Sequence, residues 1–297
     1  MSVRTTALAV FAACGLTLVS ACDDREKRFV SASNQAVEAL EHEDYARAEK
    51  FLDEALQIEP NDAEVLVYMG ALKQRREQPK AAVEVLQKAV IADPKFMDAW
   101  LNLAKARFDL HDGKGTLEAV QGVLKIDAGQ PNAHLLAARV ALGQAELPSD
   151  ATPTRDRVTA DKELRAAIAG DPGFAPAYVL LAQLYSEVEA FEAARDVLTE
   201  GQRFAPQSVE IQEALGLAWL DLGRPDRAKT VLAAAAAHPK ARPGVHLNYA
   251  SALLQLGEKD AAIQALRAFI LQSQGTAKQN DAAVLTATRM LRHLKGT

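Results

Sequence analysis

Apolar positions in this chain recur at spacings of three and four, broken at regular intervals by short polar turns. The stretch "AEVLVYMGALKQRREQPKAAVEVLQKAVIADP", residues 63–94, shows the unit: an amphipathic run, a turn, a second amphipathic run, then a stop. Proline closes the second run at Pro60, Pro94, Pro172 and Pro206, because the residue before a proline is driven out of helical geometry. The pattern therefore predicts pairs of antiparallel helices.

The pairs repeat. Small residues recur at Ala48, Ala82, Thr116, Ala160, Ala194, Ala228 and Ala262, with gaps of 34, 34, 44, 34, 34 and 34. A second small series runs through Ala36, Gly70, Ala104, Ala138, Ala182, Gly216 and Ala250 with the same gaps. A third, of large aliphatics, runs through Leu52, Leu86, Val120, Leu164, Leu198, Leu232 and Leu266. Three series in one register define an internal repeat. The physical reading is close helix approach at the small positions, with the leucines filling the space beside them.

This period and these positions resemble the tetratricopeptide repeat family over residues 29–276. The units begin near Phe29, Ala63, Met97, Pro131, Ala175, Val209 and Pro243. Leu66, Trp100 and Tyr178 take the bulky first-helix position, while Ala128 stands where proline is usual and Pro239 arrives one residue early. The resemblance implies an all-α, right-handed superhelical solenoid of about seven helix-turn-helix units. Residues 277–297 would add a capping helix, with Val284, Ala287, Leu291 and Leu294 on its inner face. Gly113 and Gly115 suggest a frayed start to the second helix of unit three. The gap of 44 places ten extra residues near 144–154, a stretch whose Pro148 and Pro153 argue for an exposed loop.

Residues 1–21 follow different rules: a single charge at Arg4, then an apolar run too short to span a bilayer securely, as in a secretory signal peptide. Its loss would carry off Cys14 and leave Cys22 as the sole cysteine, so an internal disulfide is excluded. "VSAC", ending at Cys22, resembles the lipobox of bacterial lipoproteins. That resemblance implies lipidation of Cys22, a short tether over 22–28, and Asp23 as a sorting residue slightly favouring the inner over the outer membrane. The expected location is the cell envelope, facing the periplasm.

The chain carries 34 basic and 39 acidic residues, for a net charge of −5, which argues against a nucleic-acid partner. Six scattered histidines supply no metal-ligand spacing, and no nucleophile or phosphate-binding motif is present. Glu187 and Glu189 show no pairing as general acid and base. No enzyme activity, cofactor or metal is expected. The cluster "KQRR" at 73–76 is read as a solvated helix end before an anionic-headgroup contact.

By the family's pattern, a protein or peptide partner would bind the concave face lined by the first helices. The positions there are Val67, Tyr68, Leu101, Asn102, Lys105, Phe108, Leu135, Arg139, Val179, Leu180 and Gln183. Lys105 and Arg139 share a register and would jointly receive a carboxylate; the bland alternative is inter-repeat packing with solvated polar groups. The clamp of chaperone-binding members is absent, since Ser33, Val37, Tyr68, Asp98 and Asn102 stand at its positions. The expected role is a lipid-anchored scaffold for an envelope machine serving a pilus, secretion or polysaccharide export. The alternative is a regulatory subunit of a cell-wall or other periplasmic enzyme.

Overall fold

The computed structural model describes residues 6–144, 156–273 and 282–296, with side chains described from Asp24 onward. The expected insertion at 144–154 lies outside the described residues apart from Gln144, as do the side chains of Cys22 and Asp23. Among the described residues every regular element is an α-helix. In chain order these are α1 (Thr6–Glu41), α2 (Tyr45–Ile58), α3 (Ala63–Arg75), α4 (Pro79–Ala92), α5 (Met97–Asp109), α6 (Gly113–Ile126), α7 (Pro131–Ala141) and α8 (Arg157–Gly170). They continue with α9 (Ala175–Ser186), α10 (Phe191–Phe204), α11 (Val209–Asp221), α12 (Pro225–Ala236), α13 (Pro243–Gln255), α14 (Lys259–Ser273) and α15 (Ala282–Gly296).

The helices start and stop for local reasons. Asp44, Asp62, Asp112, Asp156 and Ser208 each cap a helix, the side-chain oxygen accepting from the backbone N–H three residues on. Proline occupies the first turn of α4, α9, α12 and α13, where its missing N–H costs nothing. Between the two helices of a pair, one residue adopts positive φ: Glu43, Glu77, His111, Gly143, Glu189, Gly223 and Gly257. Six of these seven keep the repeat register, and only three are glycine.

The small-residue series does what close approach requires. Ala48, Ala82, Thr116, Ala160, Ala194, Ala228 and Ala262 are all completely buried. At Gly70 a β-carbon would lie 2.5 Å from Leu86 Cγ, and at Gly216 one would lie 2.4 Å from Leu232 Cγ. These are the same two register positions in different repeats, so the series of small residues and the series of leucines are the two sides of one contact.

The chain divides into two compact units. The first holds residues 1–128 and 139–155; in it α1, α2 and α3 share a core around Ala36, Leu52, Met69 and Leu72. The second holds residues 129–138 and 156–297. There α9, α10 and α11 pack around Tyr178, Leu198 and Ile211, and α15 seats Ala287 against Leu253, Leu266 and Phe269 of α13 and α14. Val284, Leu291 and Leu294 lie along the same contact.

Two details depart from expectation. The first-repeat helix does not start at Phe29: α1 runs continuously through residues 24–28, and Arg25 bonds the Ile58 carbonyl and pairs with Glu59 at 3.0 Å. The stretch read as a short tether is thus helical from Asp24 onward and tied to the end of α2. At the start of α6, Gly113 and Gly115 do not fray. Asp112 caps Gly115 N–H, and Arg107 donates to the Gly115 carbonyl, leaving no room for a β-carbon there.

Candidate functional site

The first helices of successive pairs carry the residues expected to face a partner, and the two units divide them. In the first unit, Val67 and Phe108 are buried, Tyr68, Leu101 and Asn102 are half-buried, and Lys105 is exposed. Tyr68 donates from its hydroxyl to Glu64, and burial, followed by that carboxylate, pushes its phenol above the usual range. Asn102 spends its amide N–H on the Asp98 carbonyl of its own helix.

Arg139 is engaged differently from Lys105. Its guanidinium lies over the Phe108 ring, 4.3 Å from the centroid, and its Nε donates to Gln144 Oε1 at 2.8 Å. A guanidinium held on an aromatic face and hydrogen-bonded at one edge is a structural group. Lys105 has no hydrogen-bond or ion-pair partner among the described residues and remains available to an anion.

In the second unit, Leu135, Val179 and Leu180 are half-buried and Gln183 is exposed. Val179 and Gln183 line a groove of about 470 Å³ between α9 and α11, together with Leu217 and Asp221. Leu217 and Asp221 escaped sequence reasoning. The signal was present, since Asp221 stands 34 residues after Glu187, but an acidic residue repeating once carries no chemistry until a groove separates it from its own repeat.

The basic side chains of the cluster at 73–76 find partners on α1 and α2. Lys73 Nζ reaches Glu49 at 2.5 Å, Arg76 bonds the same carboxylate, and Arg75 approaches the Leu40 carbonyl. Lys73 foremost, then Arg76, holds the Glu49 carboxyl below the usual carboxylate range against its desolvation. Glu213 accepts from Arg242 and Asn248, and His134 Nδ1 lies 2.7 Å from Glu163. Among the described residues no cluster of His, Cys, Asp or Glu has metal-holding geometry, and no helix is long and apolar enough to cross a membrane.

Comparison with known proteins agrees with this architecture. Tetratricopeptide repeat models match residues 39–95 and 74–140, and a further one matches 129–287. Cellulose synthase 2 operon protein C of Komagataeibacter xylinus is 28% identical over 281 residues, covering 91% of this chain but 21% of that protein. YpiA of Bacillus subtilis is 24% identical over 69% of this chain and 46% of its own length. The chain therefore spans about a fifth of the first of these relatives and under half of the second. Among solved structures, a repeat protein from Parabacteroides merdae superposes with a TM-score of 0.60 at 12% identity, covering 91% of this chain and 99% of that one. PilF of Pseudomonas aeruginosa superposes with a TM-score of 0.58 at 15% identity, covering 77% and 97%.

Proposed function

Because the chain belongs to the tetratricopeptide repeat family, we propose that it acts by binding rather than by catalysis, as a scaffold for protein partners of the bacterial envelope. The observation carrying this reading is the first-helix face. It keeps large apolar side chains partly exposed in each unit, Leu101 in the first and Leu135, Val179, Leu180 and Leu217 in the second, whereas the repeat-series leucines of the second helices, such as Leu86 and Leu232, are fully buried. Within a unit such a face, with Lys105 one helical turn from Leu101 in the first or Gln183 lining the groove with Val179 in the second, can seat an extended segment, apolar contacts giving affinity and polar groups orienting it.

The scaffold is anchored by lipid at Cys22 and faces the periplasm, with Asp23 favouring the inner membrane. The "VSAC" pattern supports this, and so does α1, whose Arg25, three residues after the cysteine, is tied to the end of α2. Multiple acylation suffices for stable attachment, and confinement near one membrane raises the local concentration of partners. The similarity to a cellulose synthase operon protein along most of the chain favours an envelope machine such as a polysaccharide exporter, with secretion or pilus assembly as sister cases.

Fractionation of cells making the full chain or its Cys22→Ala variant, with a fatty-acid label, tests the anchor. The full chain partitions with membranes and takes the label; the variant does neither. A variant still labelled and membrane-bound contradicts the anchor.

A further inference from the structure

In the first unit the large apolar side chains that stay exposed gather at one edge. Among the described residues of that unit they are Val30, Ile91 and Ile126, at 48%, 77% and 41% exposure. Val30 stands where the first repeat takes over α1, Ile91 one residue from the end of α4, and Ile126 at the end of α6. Antiparallel pairing brings these positions to the same side. Val30 and Asp62 line one cleft where α1 meets the start of α3. Trp100, in the first turn of α5, donates to the Pro94 carbonyl after α4, and Gly122 near the end of α6 abuts the same indole. The opposite edge, formed by the turns inside each pair, exposes no large apolar side chain among the described residues and carries carboxylates such as Glu43, Glu77 and Asp112.

The apolar N-terminal run leaves from the first of these edges. Helix α1 is continuous from Thr6 to Glu41, so the backbone carrying Cys22 and the run before it projects beyond Arg25, which is tied to the end of α2. Cys22 lies about 12 Å of helix from Val30, a span that a tilt of the unit closes. Charge favours neither kind of headgroup, since Lys95 and Lys125 stand beside Asp93 and Asp127.

Exposed aliphatic side chains collected where an apolar run leaves the fold complement the interfacial zone of a bilayer. Resting on the reading of this chain as membrane-anchored through Cys22, we infer that this edge of the first unit docks on the membrane that holds the anchor. Ile91 and Ile126 enter the boundary between headgroups and acyl chains. Lys95 and Lys125 lay their stems along it and keep their ammonium groups in water.

The test reconstitutes the full chain, processed in cells, into vesicles of phosphatidylcholine brominated near the top of its acyl chains, alone or with phosphatidylglycerol. An environment-sensitive fluorescent amino acid replaces Ile91 or Ile126, or, at the other ends of the same helices, Lys80 or Lys114. Emission from 91 and 126 shifts to the blue and is quenched by bromine in both compositions. Emission from 80 and 114 does neither, because about 16–18 Å of helix separates the members of each pair. A chain that floats with the vesicles without quenching at 91 and 126 overturns this inference and leaves the anchor standing; a chain that does not float overturns both. Equal quenching at all four positions overturns the assignment to one edge. A blue shift without bromine quenching gives the edge to a protein surface, and quenching only with phosphatidylglycerol gives it to charge; either result also overturns the inference.

Discussion

Arg139 stacks its guanidinium on the Phe108 ring at 4.3 Å and anchors it through Gln144. Two residues from neighbouring repeats thus satisfy each other across the face on which both were expected to meet a partner. The coupling is measurable. In a cycle of Phe108→Leu, Arg139→Gln and the double variant, urea denaturation gives a coupling of about 0.5–1 kcal/mol in favour of the pair. A coupling indistinguishable from zero means the stack contributes no stability and Arg139 is free for other work.

The turn register predicts a gain as well as a loss. Glu77 holds φ at 57° where Gly223 holds 65°, and a β-carbon at Gly223 meets nothing within 4 Å. The left-handed conformation costs an L-residue about 1–2 kcal/mol, of which glycine returns part as unfolded-state entropy. Glu77→Gly therefore stabilises by about 0.5–1 kcal/mol, and Gly223→Ala destabilises by about 1 kcal/mol through backbone strain alone. Thermal melts of the two variants should move in opposite directions.

Tyr178 offers a different case. Its side chain is fully buried, and its hydroxyl finds no partner among the described residues. Trp100 and Gln212, six residues after Pro94 and Pro206, each donate to that proline's carbonyl, whereas Tyr178, six after Pro172, does not. An unsatisfied buried hydroxyl costs about 1–3 kcal/mol. Tyr178→Phe is accordingly neutral to stabilising in a denaturation experiment; a loss above about 1 kcal/mol would reveal a hidden partner for the hydroxyl.

The Glu49 pair sets a pH dependence. Lys73 and Arg76 hold its carboxyl below the usual carboxylate range, so the folded chain binds this proton less readily than the unfolded chain. The stability it supplies is present above the ordinary carboxylate pKa and is lost as pH falls through the lowered value. Glu49→Gln costs about 1–2 kcal/mol at neutral pH, and the gap to the parent closes as the solution becomes acid. A gap independent of pH would assign the loss to packing rather than charge.

The repeat was legible because its contacts are periodic. Gly70 against Leu86 and Gly216 against Leu232 appear in the sequence as two series in fixed phase, and α3, α5, α7, α9, α11 and α13 start at the residues where units two to seven start. What escaped reading depends on contacts with no period. Glu49 gathers Lys73 and Arg76 from 24 and 27 residues away, which ties two of the basic residues of "KQRR" into a half-buried network while Arg75 stays exposed. Arg25 extends the first helix past Phe29 by reaching the end of α2, and Gly115 is demanded by the Asp112 cap and Arg107 rather than by flexibility. The stacking of Arg139 likewise turns on Gln144, a residue in the turn after α7 that breaks the register.

The central claim is that the first-helix face, and not the surface at large, meets the partner. It is tested most directly by placing a photo-crosslinking amino acid in the full chain in cells, either at Leu101 of α5 or at Ile91 of α4, which is 77% exposed on a second helix. The account predicts a discrete crosslinked species from Leu101 that Ile91 does not yield. Identical products from both positions, or none from Leu101, would contradict it.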